Sequence, residues 1–254
     1  MKNRNFIIIF LCVLILSGGS NMRILNRLFG SSKAQAADGE TRGFNYHPYK
    51  SKEANYIYDL LFCDNLELYK NNFKGEKVFP WDVLFSSSRS REDLEKIIND
   101  PKCESRVKVL TYNELRRLGI KSPRKELLGV IVEVGMKDGL DTLAVYADKT
   151  ARYINYTGKM IIWETIEDAI INAKIAELFK ESEQVISSIG PWDKERLPPL
   201  MGEEARITFL VSDGLYFGQG EMDALSNDSM SGPVLNTATE LMKLLINKSL
   251  GKQK

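Results

Sequence analysis

Apolar positions change period partway along the chain, and the change divides it. In Lys52 to Lys70 (KEANYIYDLLFCDNLELYK), Tyr56, Ile57, Leu60, Leu61 and Leu68 recur at helical spacing, which predicts an amphipathic helix broken near Asp64-Asn65. FPWDVLFSS, residues 79–87, is short and aromatic and reads as an extended or turn segment docked on the core. Ser90 opens SREDLEKIIND as an N-cap, since a serine oxygen accepts from an unpaired N–H of the first turn; Leu94, Ile97 and Ile98 form the buried stripe. Pro101 lacks that N–H and ends the helix. Glu104 to Leu118 predicts another helix, closed by Gly119.

Beyond that point the period is that of strands. LLGVIVEV, residues 127–134, is a nearly continuous apolar run suited to a central strand. Asp141 to Tyr146, Ala151 to Asn155 and Lys159 to Trp163 follow, separated by the turn residues MKDG, Ala147-Asp148-Lys149 and Tyr156-Thr157-Gly158, which predicts an antiparallel meander. Ile166 to Ile189 returns to helical spacing and stops at Gly190-Pro191. Ile207 to Val211 reads as a fifth strand of the same sheet, and Pro233 to Leu250 as a C-terminal amphipathic helix. The expected class is α+β: a mainly antiparallel sheet of about five strands packed with helices, behind a helical N-terminal part. Residues 52–250 form one domain in this reading, with 52–120 mainly helical and 125–250 supplying the sheet and its packing helices. The chain has 254 residues, 43% of them apolar, which suffices for a sizeable core.

The first 51 residues read differently. Residues 22–51 are polar and glycine-bearing, as a flexible arm would be. In residues 1–21, Lys2 and Arg4 precede eleven apolar residues, Phe6 to Leu16, as in an export signal. That run is shorter than the about 20 residues of a membrane span. The other reading places the true start at Met22 and the protein in the cytoplasm. Cys63 and Cys103 are isolated and read as reduced thiols, with a disulfide between them as the alternative; this favours the cytoplasmic reading. Export or membrane anchoring through residues 6–16 is the alternative.

Charge and histidine content narrow the chemistry. Lys+Arg number 35 and Asp+Glu 34, a net charge of +1 with no long basic run, so no nucleic acid is expected as partner, and a membrane only if the apolar segment is translated. His47 is the only histidine, so a Ser-His-Asp triad, a Cys-His dyad or a histidine-rich metal site would all depend on that residue. No cofactor fingerprint is present, and neither cofactor nor metal is expected.

Five blocks, LLGVIVEVG, GLDTLAVYAD, RYINYTGKMIIWE, IGPWDK and FLVSDGLYFGQG, together resemble a family of small uncharacterised bacterial proteins. The likeness runs from about Tyr56 to Leu250. It implies a cytoplasmic protein beginning near Met22, and no activity. One departure is Lys149, where the family pattern has a glycine after Asp148; it concerns the local turn.

Three constellations carry candidate chemistry. RITFLVSDGLYFGQGEMDAL, residues 206–225, runs from a strand through glycines to an apparent helix, the layout of a phosphate site. Its spacing, Gly214-x3-Gly218-x-Gly220, fits neither phosphate motif, and it contains no cation between Arg206 and Lys243. The glycines read instead as positive-φ turn positions that let Tyr216 and Phe217 pack; Ser212, Asp213, Tyr216 and Phe217 are kept as binding candidates. On the meander, Tyr153 and Asn155 share one strand face, where they would line a polar groove with neighbouring carboxylates, and Arg152 takes the other; all three are kept as binding candidates. Glu133 interrupts an apolar strand and needs a partner, for which Arg152 is the candidate. If Glu133, Asp141 and Asp148 converge, they would suit acid–base hydrolysis or a divalent metal; otherwise they belong to a solvated face. Finally, GPWDKERLPP, residues 190–199, places Trp192, Asp193 and Lys194 on a proline-stiffened loop that either presents an aromatic anchor to a partner or plugs the sheet. The expected function is a non-catalytic module binding a protein or small ligand, with a carboxylate- or metal-dependent hydrolase as the alternative.

Overall fold

The computed structural model describes residues 47–122 and 124–251. Both readings of the start, and most of the polar arm, lie outside the described residues. Among the described residues, five helices come first: α1 (Lys52–Leu61), α2 (Leu66–Asn72), α3 (Trp81–Leu84), α4 (Arg91–Asn99) and α5 (Ser105–Arg117). The break between α1 and α2 falls at Asp64-Asn65, where the Asn65 side chain accepts from Leu68 N–H and starts the second helix. Ser90 caps α4 in the same way, accepting from Asp93 N–H. Trp81 to Leu84, read as extended or turn, is a helical turn whose Trp81 and Phe85 rings stack 5.3 Å apart.

Six strands then build one antiparallel sheet: β1 (Leu127–Met136), β2 (Gly139–Tyr146), β3 (Ala151–Ile154), β4 (Met160–Trp163), β5 (Glu204–Val211) and β6 (Gly214–Glu221), in the order β4-β3-β2-β1-β5-β6. The remaining helices are α6 (Ala169–Ser188), α7 (Met222–Asn227) and α8 (Ser231–Gly251). The class is α+β, with helices on both faces of the sheet. Leu128, Ile131 and Ala144 pack among α1 to α5. Val130, Val132, Leu143 and Phe209 pack under α6 and α8. This double cover explains the unbroken apolar run of β1, since a strand wetted on one face would alternate. Helices α6 and α8 run antiparallel, joined by Lys174–Glu240 at 2.7 Å and Asp168–Lys248 at 2.8 Å.

The sixth strand corrects the sequence reading. SDGLYFGQGE is a hairpin arm: Val211 pairs with Gly214, leaving Ser212-Asp213 as a two-residue turn. Among the described residues, Gly119, Gly139, Gly158 and Gly202 are the glycines with positive φ, so Gly214, Gly218 and Gly220 are not positive-φ turn glycines. Gly214 is needed for space, because a Cβ there would meet Pro191 Cβ at 2.9 Å. Tyr216 sinks into the core at 1% exposure, and the helix that follows has only six residues.

Two further positions show backbone demands. Lys149 sits at φ +69, a left-handed conformation that costs an L-residue roughly 1–2 kcal/mol. Tyr49, inside the stretch read as an arm, is buried, and its hydroxyl lies 2.9 Å from Thr142 Oγ1. Lys149→Gly is expected to raise stability by about 1 kcal/mol in urea unfolding. Gly135→Ala would place its Cβ 1.9 Å from the Gly202 carbonyl oxygen and is expected to cost about 3 kcal/mol or more. Gly218→Ala, with open space around its Cβ, is the near-neutral control.

Candidate functional site

A strap, residues 189–203, leaves α6 and crosses the helical face before entering β5. Several contacts hold it. Trp192 N–H donates to Leu215 O at 2.7 Å, an isolated antiparallel bridge on the free edge of β6. Arg196 donates to Asp64 Oδ2 at 2.7 Å and to Asp59 Oδ1 at 3.3 Å, and its guanidinium lies 3.9 Å from the centre of the Phe62 ring. Leu200 is buried in the helical core.

Beneath the strap lies a buried charge pair. Glu133, fully buried, is directly opposite Arg206 across the β1–β5 ladder. Tyr58 on α1 donates its hydroxyl proton to Glu133 Oε1 at 2.6 Å, and Arg206 Nη1 reaches Glu133 Oε2 at 3.4 Å. The same nitrogen donates to Pro198 O of the strap at 2.9 Å, and Arg206 Nε donates to Gln219 Oε1 of β6 at 2.9 Å. Burial pushes the Glu133 carboxyl up, against the opposing pull of Arg206 and the Tyr58 hydrogen bond. The expected partner, Arg152, is elsewhere: it pairs with Glu164 and donates to the carbonyls of Ala151 and Trp163. Register decides this, since Glu133 faces Arg206 on one side and Thr142 on the other, whereas Arg152 lies beside Ala144.

The three meander carboxylates do not converge. Val134, not Glu133, is opposite Asp141, so Glu133 and Asp141 project from opposite faces of the sheet. Asp148 is seven positions past Asp141, at the far end of β2, about 20 Å along the strand direction. There it accepts from Ser105 N–H at 2.8 Å and from the Thr150 hydroxyl at 2.7 Å, tying the start of α5 to the turn. Among the described residues, no three His, Cys, Asp or Glu side chains are placed to hold a metal ion. Cys63 and Cys103 are free thiols, and burial pushes Cys63 up to about 12.

Other candidates divide in two. Asn155 is a turn organiser, its Oδ1 accepting from Thr157 N–H and Lys159 N–H. Tyr153 is buried beside Asp141. Ser212 binds the chain ahead of β1, donating to Arg124 O and accepting from Glu126 N–H. Asp213 accepts the Tyr216 hydroxyl proton at 3.0 Å. By contrast, Trp192, Lys194 and Phe217 come together at the surface. The Trp192 and Phe217 rings meet edge to face at 5.1 Å, and Lys194 Nζ lies 5.4 Å from the Trp192 ring centre. Trp192 Nε1 donates to Glu195 O at 2.9 Å, which fixes the indole; Asp193 beside it is exposed. Both rings are half-buried.

Lys125 escaped the sequence reading. Its Nζ lies 4.4 Å from the Tyr216 ring centre and donates to Ile186 O at the end of α6. Arg124, Lys125, Glu126, Glu183 and Ile186 line an open cleft of about 590 Å³ there. Tyr58 and Arg206 were also missed, although Arg206 did carry a signal: like Glu133, it is a charge set inside an apolar strand.

No family model, no curated protein and no solved structure matches the chain. These comparisons therefore bear on neither the family resemblance nor the function. Among the described residues, no helix is long and apolar enough to cross a membrane.

The buried pair makes a mutational prediction. Glu133→Ala, which strands Arg206, is expected to cost about 3–5 kcal/mol in urea unfolding, and Tyr58→Phe about 1–2 kcal/mol. Replacing both charges together, Glu133→Leu with Arg206→Met, is expected to recover most of that loss.

Proposed function

We propose that the chain is a non-catalytic binding module of the cytoplasm that engages a protein partner through Trp192, Lys194 and Phe217. The observation that carries this reading is the fixed, half-open Trp192–Phe217 pair. Tryptophan dominates binding energy at interfaces when its ring is held in place before the partner arrives, because little side-chain entropy is then lost. Here one backbone bridge and one indole hydrogen bond hold the ring. The cytoplasmic assignment draws on the free thiols Cys63 and Cys103. The hydrolase alternative lacks a common point at which Glu133, Asp141 and Asp148 meet.

Native mass spectrometry of the protein taken from its own host tests the reading. A protein partner is expected on the wild-type chain, and its affinity is expected to fall at least about tenfold in Trp192→Ala or Phe217→Ala. A partner retained at full affinity by both variants, or no bound species at all, contradicts it. The cleft beside Lys125 supports a small-ligand reading of the same module; its mark is a non-protein mass that leaves on denaturation.

A further inference from the structure

Asp141 is a carboxyl at 5% exposure on the sheet face covered by α7 and α8. It accepts from Tyr156 N–H at 2.6 Å and faces the Tyr153 hydroxyl at 3.5 Å. Beside it lies a small, half-open cavity of about 30 Å³. The groups around that cavity come from every element packed there: Val132 and Val134 of β1, Leu143 of β2, Tyr153 of β3, Met222 of α7, and Leu235, Ala238, Thr239 and Met242 of α8. The titratable group among them besides Asp141 is the Tyr153 phenol, with Tyr156 adjoining through its backbone, and no cation contributes to the carboxyl's environment. The cover is thinnest at α7, a six-residue helix with no buried residue and no side-chain hydrogen bond at its N-cap.

We propose that Asp141, its cavity and α7 form a proton-operated latch. With the carboxyl neutral, the apolar cover closes over it. Loss of the proton leaves a carboxylate with one firm hydrogen bond and a cavity with room for about one water, too little to solvate it. Water then enters on the α7 side, and α7 with the adjoining start of α8 lifts from the sheet. Local opening of this kind is drawn from segments without fully buried residues, and α7 is one, held on the core by the half-buried Met222 and Leu225.

The sign follows from linkage. Burial pushes the Asp141 carboxyl up from 3.8 to about 7. The closed state therefore holds a proton that the open state releases, and closure weakens as pH rises from about 4 to about 7.

Hydrogen exchange of the full chain, corrected for intrinsic rates, is compared at about pH 5.5 and about pH 7.5. Opening of residues 222–233 is expected to rise roughly 20-fold in the wild type over that interval. In Asp141→Asn the rise is expected to vanish. The ¹³C shift of the wild-type Asp141 carboxyl, which needs no variant, is expected to titrate near neutrality. The latch is overturned if the carboxyl titrates near pH 4, if exchange rises evenly over the whole sheet, or if Asp141→Asn keeps the wild-type rise.

Discussion

Two opposite charges buried face to face across the β1–β5 ladder are the constraint that organises half of this molecule. Glu133 and Arg206 stand in strands covered on both faces, so water cannot solvate either. At their 3.4 Å contact the ion pair alone does not repay desolvation; further hydrogen bonds must fill the remaining sites. Those bonds come from three separate elements. Tyr58 brings α1, Pro198 brings the strap, Gln219 brings β6, and Gln219 in turn donates to Glu204 at the start of β5. Satisfying one buried pair therefore fixes where the first helix, the strap and the edge strand lie.

The strap inherits its position from this arrangement. Arg206 holds it at Pro198, Arg196 pins it to α1 and the loop beyond, and Trp192 bridges to β6. The aromatic pair at the surface is thus the exposed end of a chain of contacts that begins in the core. The opposite face of the sheet has a different problem. There Asp141 has two hydrogen-bond partners and no counter-charge, beside a six-residue helix that packs on the core through the half-buried Met222 and Leu225 and buries no residue fully. One buried acid has a counter-charge and a hydroxyl donor; the other has no counter-charge and is the seat of the proposed latch.

Much of the fold was legible in local pattern. The apolar run of β1, the turns of the meander, the Ser90 cap and the break at Asp64-Asn65 each depend on residues within a few positions of one another. What was not legible depends on register. Glu133 needed a partner by elementary electrostatics, but the choice of Arg206 over Arg152 follows from which strand lies next to β1. Asp148 looked available for chemistry because the helix start it ties down is 43 residues away in sequence. β6 was hidden by its three glycines, which mimic a loop; only the burial of Tyr216 against the half-exposed Phe217 and exposed Gln219 reveals the strand. Of the candidate site, Trp192, Lys194 and Phe217 were within reach, because a proline-flanked aromatic loop is a local feature. That Trp192 meets Phe217, 25 positions later, is a tertiary fact.

On the proposed function, the Trp192–Phe217 surface is built before any partner arrives. The exchange rate of the Trp192 backbone amide in the free protein, measured by NMR, tests this most directly, since that N–H makes the bridge to Leu215 O. A preformed strap predicts protection of about 100-fold or more over the unstructured rate, with a marked loss in Arg196→Ala. Exchange at the unstructured rate in the wild type would mean that the strap is loose and the surface is not preorganised.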